Sequence, residues 1–158
     1  MPAHEIVVDV LIDPVIRSPL NPQSIVEVVA AAATFRGFDR GQIGVRVTDD
    51  PTIHEINRTH LQHDYPTDVI SFDYGSCDDT IDGELVVSVD TAKKNADEME
   101  WDVKHELTLY IVHGTLHIAG MDDQDPEARL QMRQAEREVL KELKIDLPEE
   151  LSPDWGRR

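Results

Sequence analysis

The sequence predicts an α+β fold in which a four-stranded mixed sheet packs against five to six helices, with residues 1–158 forming one domain. Two observations lead there. Strand-like and helix-like segments interleave as far as Val89, and only helix-like segments follow. One of the later segments, Asp102–Ala119, is apolar on nearly every side, which suits a helix surrounded by other elements and places it at the centre of the fold.

Taken in order, Glu5–Ile12 alternates around Ile6, Val8 and Val10 and stops before Pro14, as a first strand does. Asn21-Pro22 pairs a capping side chain with a proline at the first helical position, opening a helix that runs to about Phe35 and ends near Gly37. Gln42–Thr48 is β-branched and alternating, a second strand. Asp49-Asp50-Pro51 opens a second helix to about Leu61. Thr67–Asp73 and Gly83–Val89 read as the third and fourth strands, with the acidic segment Tyr74–Asp82 as a loop between them. Helices are then expected over about Asp90–Glu100, Asp102–Ala119 and Pro126–Leu143, with a loosely ordered tail from Pro148.

Composition narrows the function classes. The apolar stretches around Val28–Phe35 and Leu107–Val112 are too short to span a bilayer, so no membrane partner is expected. The start, MPAHEIVVDVLIDP, lacks a basic segment followed by a long apolar run, which argues against a signal peptide and for a cytoplasmic protein. Cys77 is the single cysteine, so neither an internal disulfide nor a cysteine-based zinc site is available. A net charge of −17 repels nucleic acid at long range and suits a basic protein partner. Screening limits that repulsion to about 8 Å at physiological salt, so a compact basic groove remains workable.

The most informative stretch is His113-Gly-Thr-Leu-His117-Ile-Ala-Gly120-Met-Asp122-Asp123. Histidines four apart on a helix project from one face, about one turn apart. Gly120 can take a left-handed conformation, end the helix and return the chain, bringing Asp123 back as a third ligand, with Asp122 as the alternative. Two imidazoles and a carboxylate make a three-ligand zinc set with a further position open. The spacing is a shortened zincin signature with two changes: Gly114 stands where the general-base glutamate belongs, and Asp123 where the third histidine belongs. The competing reading has His113 and His117 as core histidines bonded to carbonyls, and Asp122-Asp123 as a helix stop. The i,i+4 pair with glycine and an acid at zincin-like distance favours the metal. An aspartate in place of a neutral histidine lowers the summed charge of cation and ligands by one, which weakens Lewis acidity and widens tolerance toward manganese or magnesium. Gly114 costs about 1 kcal/mol in a helix relative to alanine; close packing on a strand and space beside a metal both account for it.

These residues carry a resemblance. The run HGTLHIAGMDD is similar to the H-G-x-L-H-L-x-G-Y-D-H signature of the YbeY family of bacterial rRNA-maturation endoribonucleases. Ile56-Asn57 followed by Pro66-Thr67-Asp68-Val69-Ile70-Ser71-Phe72 resembles that family's L-N…P-T-D-V-L-S-F, and Asp82-Gly83-Glu84-Leu85-Val86-Val87-Ser88 its G-D-I-x-I-S strand. Together with the element order, the resemblance covers roughly residues 5–145. The resemblance implies a single α+β domain, one divalent metal, zinc, held by His113, His117 and Asp123, and hydrolysis of single-stranded rRNA. It further implies 16S rRNA 3′-end maturation and ribosome quality control, with ribosomal small-subunit components as partners. Where the family often carries an arginine before P-T-D-V, this chain has Leu61, and Arg58 lies about one turn earlier as a substitute. The metal-bound water and Glu84 are the candidates for proton transfer, and Ser71 and Thr67 for phosphate contact; strand capping and turn formation are the alternatives for the two hydroxyls.

Arg129, Arg133, Arg137 and Lys141 recur every fourth residue beside the apolar line Ala128, Met132, Ala135, Val139 and Leu143. They suit either an RNA-backbone or ribosome-docking face, or an exposed face paired with Asp125, Glu136 and Glu138. His54, His60, His63 and His105 read as surface or packing residues. Two other classes compete with the nuclease: a ribosome-assembly factor with a structural metal, and a metalloprotease-like hydrolase, against which Gly114 counts.

Overall fold

In a computed structural model, which describes residues 5–62, 67–77 and 79–146, nine elements follow one another. They are β1 (Glu5–Ile12), α1 (Pro22–Phe35), β2 (Arg40–Thr48), α2 (Asp50–Leu61), β3 (Val69–Asp73), β4 (Thr80–Ser88), α3 (Val89–Met99), α4 (Val103–Ile118) and α5 (Pro126–Glu142). The sheet order is β1-β2-β4-β3, with β1, β2 and β4 parallel and β3 antiparallel on the edge beside β4. The mixed sheet and α+β class agree with the sequence expectation, and five helices lie among the described residues. His63, Pro66 and the tail from Pro148 lie outside them.

Caps set most boundaries. Asn21, Asp49, Ser88, Asp102 and Asp125 each accept a backbone N–H of the helix they precede. Ser88 explains why α3 begins at Val89, where the alternating pattern reads as strand. The larger difference is at β4, which starts at Thr80 rather than Gly83. Thr80, Ile81 and Asp82 pair with Arg40, Gly41 and Gln42, and Cys77 bridges to Thr80, so the end of the acidic loop becomes strand. Backbone pairing across the sheet overrides the low strand propensity of aspartate there.

Alternation assigns the two sheet faces. Ile43, Val45 and Val47 of β2 and Ile81, Leu85 and Val87 of β4 are buried in the main core, where α1, α4 and α5 also contribute. Helix α2 covers the opposite face through a small cluster of Ile53 with Ile70 and Val86. At the centre of the main core lies α4, with twelve of its sixteen residues buried and contacts to α1, α3, α5, β3 and β4. Two glycines permit its close approach to the sheet. A Cβ on Gly114 would stand 2.5 Å from Leu85 Cδ2 and 3.1 Å from Val69 Cγ2. One on Gly83 would meet the Phe72 carbonyl oxygen at 2.4 Å and Ile118 at 2.9 Å. Packing against the strands therefore accounts for the glycine inside the helix. Among the described residues, no helix is long and apolar enough to cross a membrane.

Candidate metal centre

The last turns of α4 and the turn after it build one cluster. His113 and His117 stand one helical turn apart with ring centroids 4.6 Å from each other and both Nε2 atoms turned inward, 3.1 Å apart. Gly120 takes φ +99°, and the Met121 N–H bonds back to the Leu116 carbonyl at 2.9 Å, closing the helix in a Schellman arrangement. The next residues divide the work. Asp122 Oδ1 accepts from the backbone N–H of Asp123 and of Gln124, so its carboxylate holds the turn. Asp123 is thereby aimed at the imidazoles, with Oδ2 3.6 Å from His113 Nε2 and 3.5 Å from His117 Nε2.

These separations test whether the residues fit a cation. A tetrahedral ion with ligand bonds of about 2.0–2.1 Å sets its donors about 3.3 Å apart, and the three observed edges of 3.1, 3.5 and 3.6 Å bracket that value. His113, His117 and Asp123 are the group among the described residues with the donors to hold a metal ion. The His117 imidazole beside Asp123 lowers its carboxyl to about 2, helped by His113 and Arg133 and opposed by burial. The carboxylate is thus ionised at neutral pH and needs no proton removed before it ligates. Exposure is uneven: the His113 side chain is 6% exposed and His117 27%, so the cluster opens on the His117 side.

Behind His113 lies an arrangement that the sequence reading missed. Glu136 of α5, wholly buried, sets Oε2 2.5 Å from His113 Nδ1, while Arg133 Nη1 donates to Glu136 Oε1 at 2.7 Å. The signal was present: Glu136 stands four residues after Met132 and three before Val139, inside the apolar stripe of α5. A carboxylate in that position had to meet a donor. Its pairing with an arginine of α5 holds, but the pair is buried rather than on an exposed face, because the apolar stripe takes in position 136 as well as Ala135.

The four-residue basic stripe needs the same correction. Arg133 is buried on Glu136 and is not on an exposed face, whereas Arg129 is half-buried and Arg137 and Lys141 are exposed. A drift of about 40° per step is enough to carry one member of such a stripe inward.

Other candidate residues fall elsewhere. Gly83 and Leu85 face α4, so Glu84 between them points to the opposite face of the sheet, where it accepts from the Tyr74 hydroxyl at 2.6 Å. Its proposed proton-transfer role at the metal is not supported by that placement. Ser71 shares with Val69 the sheet face that α4 covers, so it lies on the metal-site side of β3. Arg58 pairs with Glu55 on the exposed side of α2, whose core-facing side packs on the far sheet face, and Leu61 at the end of α2 is 41% exposed. Thr67 donates to Asp68 Oδ1 at 3.3 Å. His60 meets Phe72 in a T-shaped ring contact, His105 packs on Trp101, and neither they nor His54 join the metal-ligand group.

Comparison with known proteins gives a family and, separately, a likeness of fold. Residues 18–144 match the family model described as Endoribonuclease YbeY. A protein of that name from Rhodopirellula baltica is 47% identical over 158 residues, covering 93% of this chain and 81% of the relative. One from Phocaeicola vulgatus is 44% identical over 113 residues, covering 71% and 80%. The solution structure of a Thermotoga maritima protein superposes with a TM-score of 0.59 at 21% identity, over 87% of this chain and 91% of that one, a likeness of fold. The shared name, the length of chain matched and the histidine-bearing helix together make this chain a member of the YbeY endoribonuclease family.

Proposed function

We propose that this chain is a metal-dependent, single-strand-specific endoribonuclease that acts in the cytoplasm on rRNA, in 16S 3′-end maturation and ribosome quality control. The observation that carries the reading is the convergence of His113 Nε2, His117 Nε2 and Asp123 Oδ2 at tetrahedral edge lengths. It is joined to relatives that bear the name endoribonuclease. His113, His117 and Asp123 would hold one divalent cation, zinc, which when bound supplies Lewis acidity toward a phosphate oxygen or water.

The chain's own residues set the rest. The buried wall of α4 behind His113 keeps water from that side, and the more exposed His117 side is where a phosphodiester would enter. Ser71, on the α4-facing side of β3, can donate its hydroxyl to a phosphate oxygen. Arg129, Arg137 and Lys141 can neutralise flanking phosphates along α5, a small cationic set in a chain of net charge −17. Gly114 packs on Leu85 and carries no carboxylate, which counts against zincin-type peptide hydrolysis. A ribosome-assembly factor with a structural metal is the second reading, favoured by the aspartate at position 123 and by Leu61 at the family's arginine position.

The two readings part on one comparison. Wild-type protein and His117→Ala, each with added zinc or manganese, are incubated with single-stranded rRNA fragments. Cleavage by the wild type alone supports the nuclease. Equal cleavage by both points to a contaminant, and no cleavage by either leaves the assembly factor.

A further inference from the structure

The Nδ1 side of His113 faces away from the cluster and into the core between α4 and α5. It meets a carboxylate that α5 carries into the core and that an arginine of the same helix grips from the other end. A neutral imidazole has a single N–H, and in water it prefers to keep that hydrogen on Nε2. In His113 this form would aim the hydrogen at His117 and Asp123 and leave no lone pair for a cation. A carboxylate against Nδ1 accepts only from Nδ1–H, so it selects the other form and turns the Nε2 lone pair into the cluster.

We propose that Glu136 is a positioning residue of the metal centre and that Arg133 fixes it in place, so that the pair sets cation affinity through the tautomer and orientation of His113. The inference rests on the metal reading above. Three features carry it. Glu136 is completely buried, so its carboxylate has no water to share its oxygens with. Its two oxygens are divided, Oε1 to Arg133 and Oε2 to His113, although an i,i+3 arginine pair on one helix would be complete without the histidine. Both residues lie on α5 while both histidines lie on α4, so packing of the two helices and orientation of the ligand are the same event. His117, more exposed and without such a partner among the interactions described, is left to follow the cation.

The test compares two variants that both remove the buried charges, so neither strands an unpaired ion. Arg133→Met with Glu136→Leu removes the acceptor opposite Nδ1. Arg133→Met with Glu136→Gln keeps a neutral one. Zinc affinity is read by competition with a chromogenic chelator, and the His113 tautomer from imidazole ¹⁵N shifts of metal-free protein. Expected are an Nδ1–H form of His113 in the wild type, a 10–100-fold loss of zinc affinity in the leucine variant, and recovery of most of that loss in the glutamine variant. Equal affinity in the two folded variants, or a wild-type His113 protonated on Nε2, overturns the inference. Should the leucine variant fail to fold, the wild-type tautomer decides alone. If the wild type binds no zinc, the metal reading falls, and the tautomer still reports whether Glu136 orients His113.

Discussion

His117 offers the most direct handle at the scale of single residues, because it reaches the cluster from the open side and carries little of the core. Its replacement by alanine is expected to lower RNA cleavage by more than about 100-fold while changing thermal stability little; gel assays and a melting curve on the same preparations check both halves. Asp13 makes a different kind of prediction. Its carboxylate receives Arg46 Nε at 3.0 Å, Arg46 Nη2 at 3.1 Å and the Thr48 hydroxyl at 2.5 Å, tying the end of β1 to β2. The Arg46 guanidinium holds the Asp13 carboxyl below the usual aspartate range, with Thr48 assisting and burial opposing. A depressed folded-state pKa means that the unfolded chain binds more protons in that window, so the contribution is full above the ordinary aspartate value and fades as pH falls through the lowered one. Asp13→Asn should therefore cost about 1 kcal/mol at pH 7, with the gap to wild type closing below about pH 4. Urea titrations at both pH values measure it, and a gap that persists unchanged in acid would show that the carboxylate charge is not its source.

Among the elements, the seam between α4 and the β3–β4 pair decides how the histidines are presented. Gly83→Ala would drive a methyl into the Phe72 carbonyl oxygen, a backbone atom that cannot move without breaking the β3–β4 pairing. Gly114→Ala meets the end of the Leu85 side chain, which can shift, and regains about 1 kcal/mol of helix propensity. Overpacking costs about 1–3 kcal/mol, so Gly83→Ala should lie near the top of that range and Gly114→Ala near zero. Calorimetry that ranks them the other way would contradict the packing described for this seam. The same elements show what the sequence made legible. Helix starts were readable where their caps are local: Asn21 and Asp49 announce themselves in one or two residues. The central helix was readable because apolarity on all sides has one common cause. The early start of β4 was not, since Thr80–Asp82 become strand only by pairing with Arg40–Gln42, about forty positions away. At the site, the ligands fall within one turn and its return loop, and local spacing suffices to bring them together. Glu136 comes from another helix, and its meeting with His113 depends on how α5 packs. The placement of Glu84 was missed for a related reason: a strand shows which residues alternate, but the neighbouring helix determines which face is which.

Taken as a whole, the molecule combines a cationic requirement with an acidic surface. With a net charge of −17 and Arg133 committed to Glu136, few side chains remain on α5 to neutralise phosphates. Binding of single-stranded RNA should then depend weakly on salt. Each neutralised phosphate adds about 0.7 to the slope of log affinity against log salt for a single strand, and Arg129, Arg137 and Lys141 together would give a slope of about 2. Fluorescence anisotropy between low and physiological salt measures it, and a slope several times steeper would mean that a basic surface elsewhere carries the RNA. All of this depends on two imidazoles of α4 and the carboxylate of the turn after it forming one cation site. Elemental analysis of freshly purified wild-type protein beside a His113→Ala/His117→Ala double variant tests this most directly. About one equivalent of a divalent transition metal is expected in the wild type and almost none in the variant. Equal metal in both would contradict it.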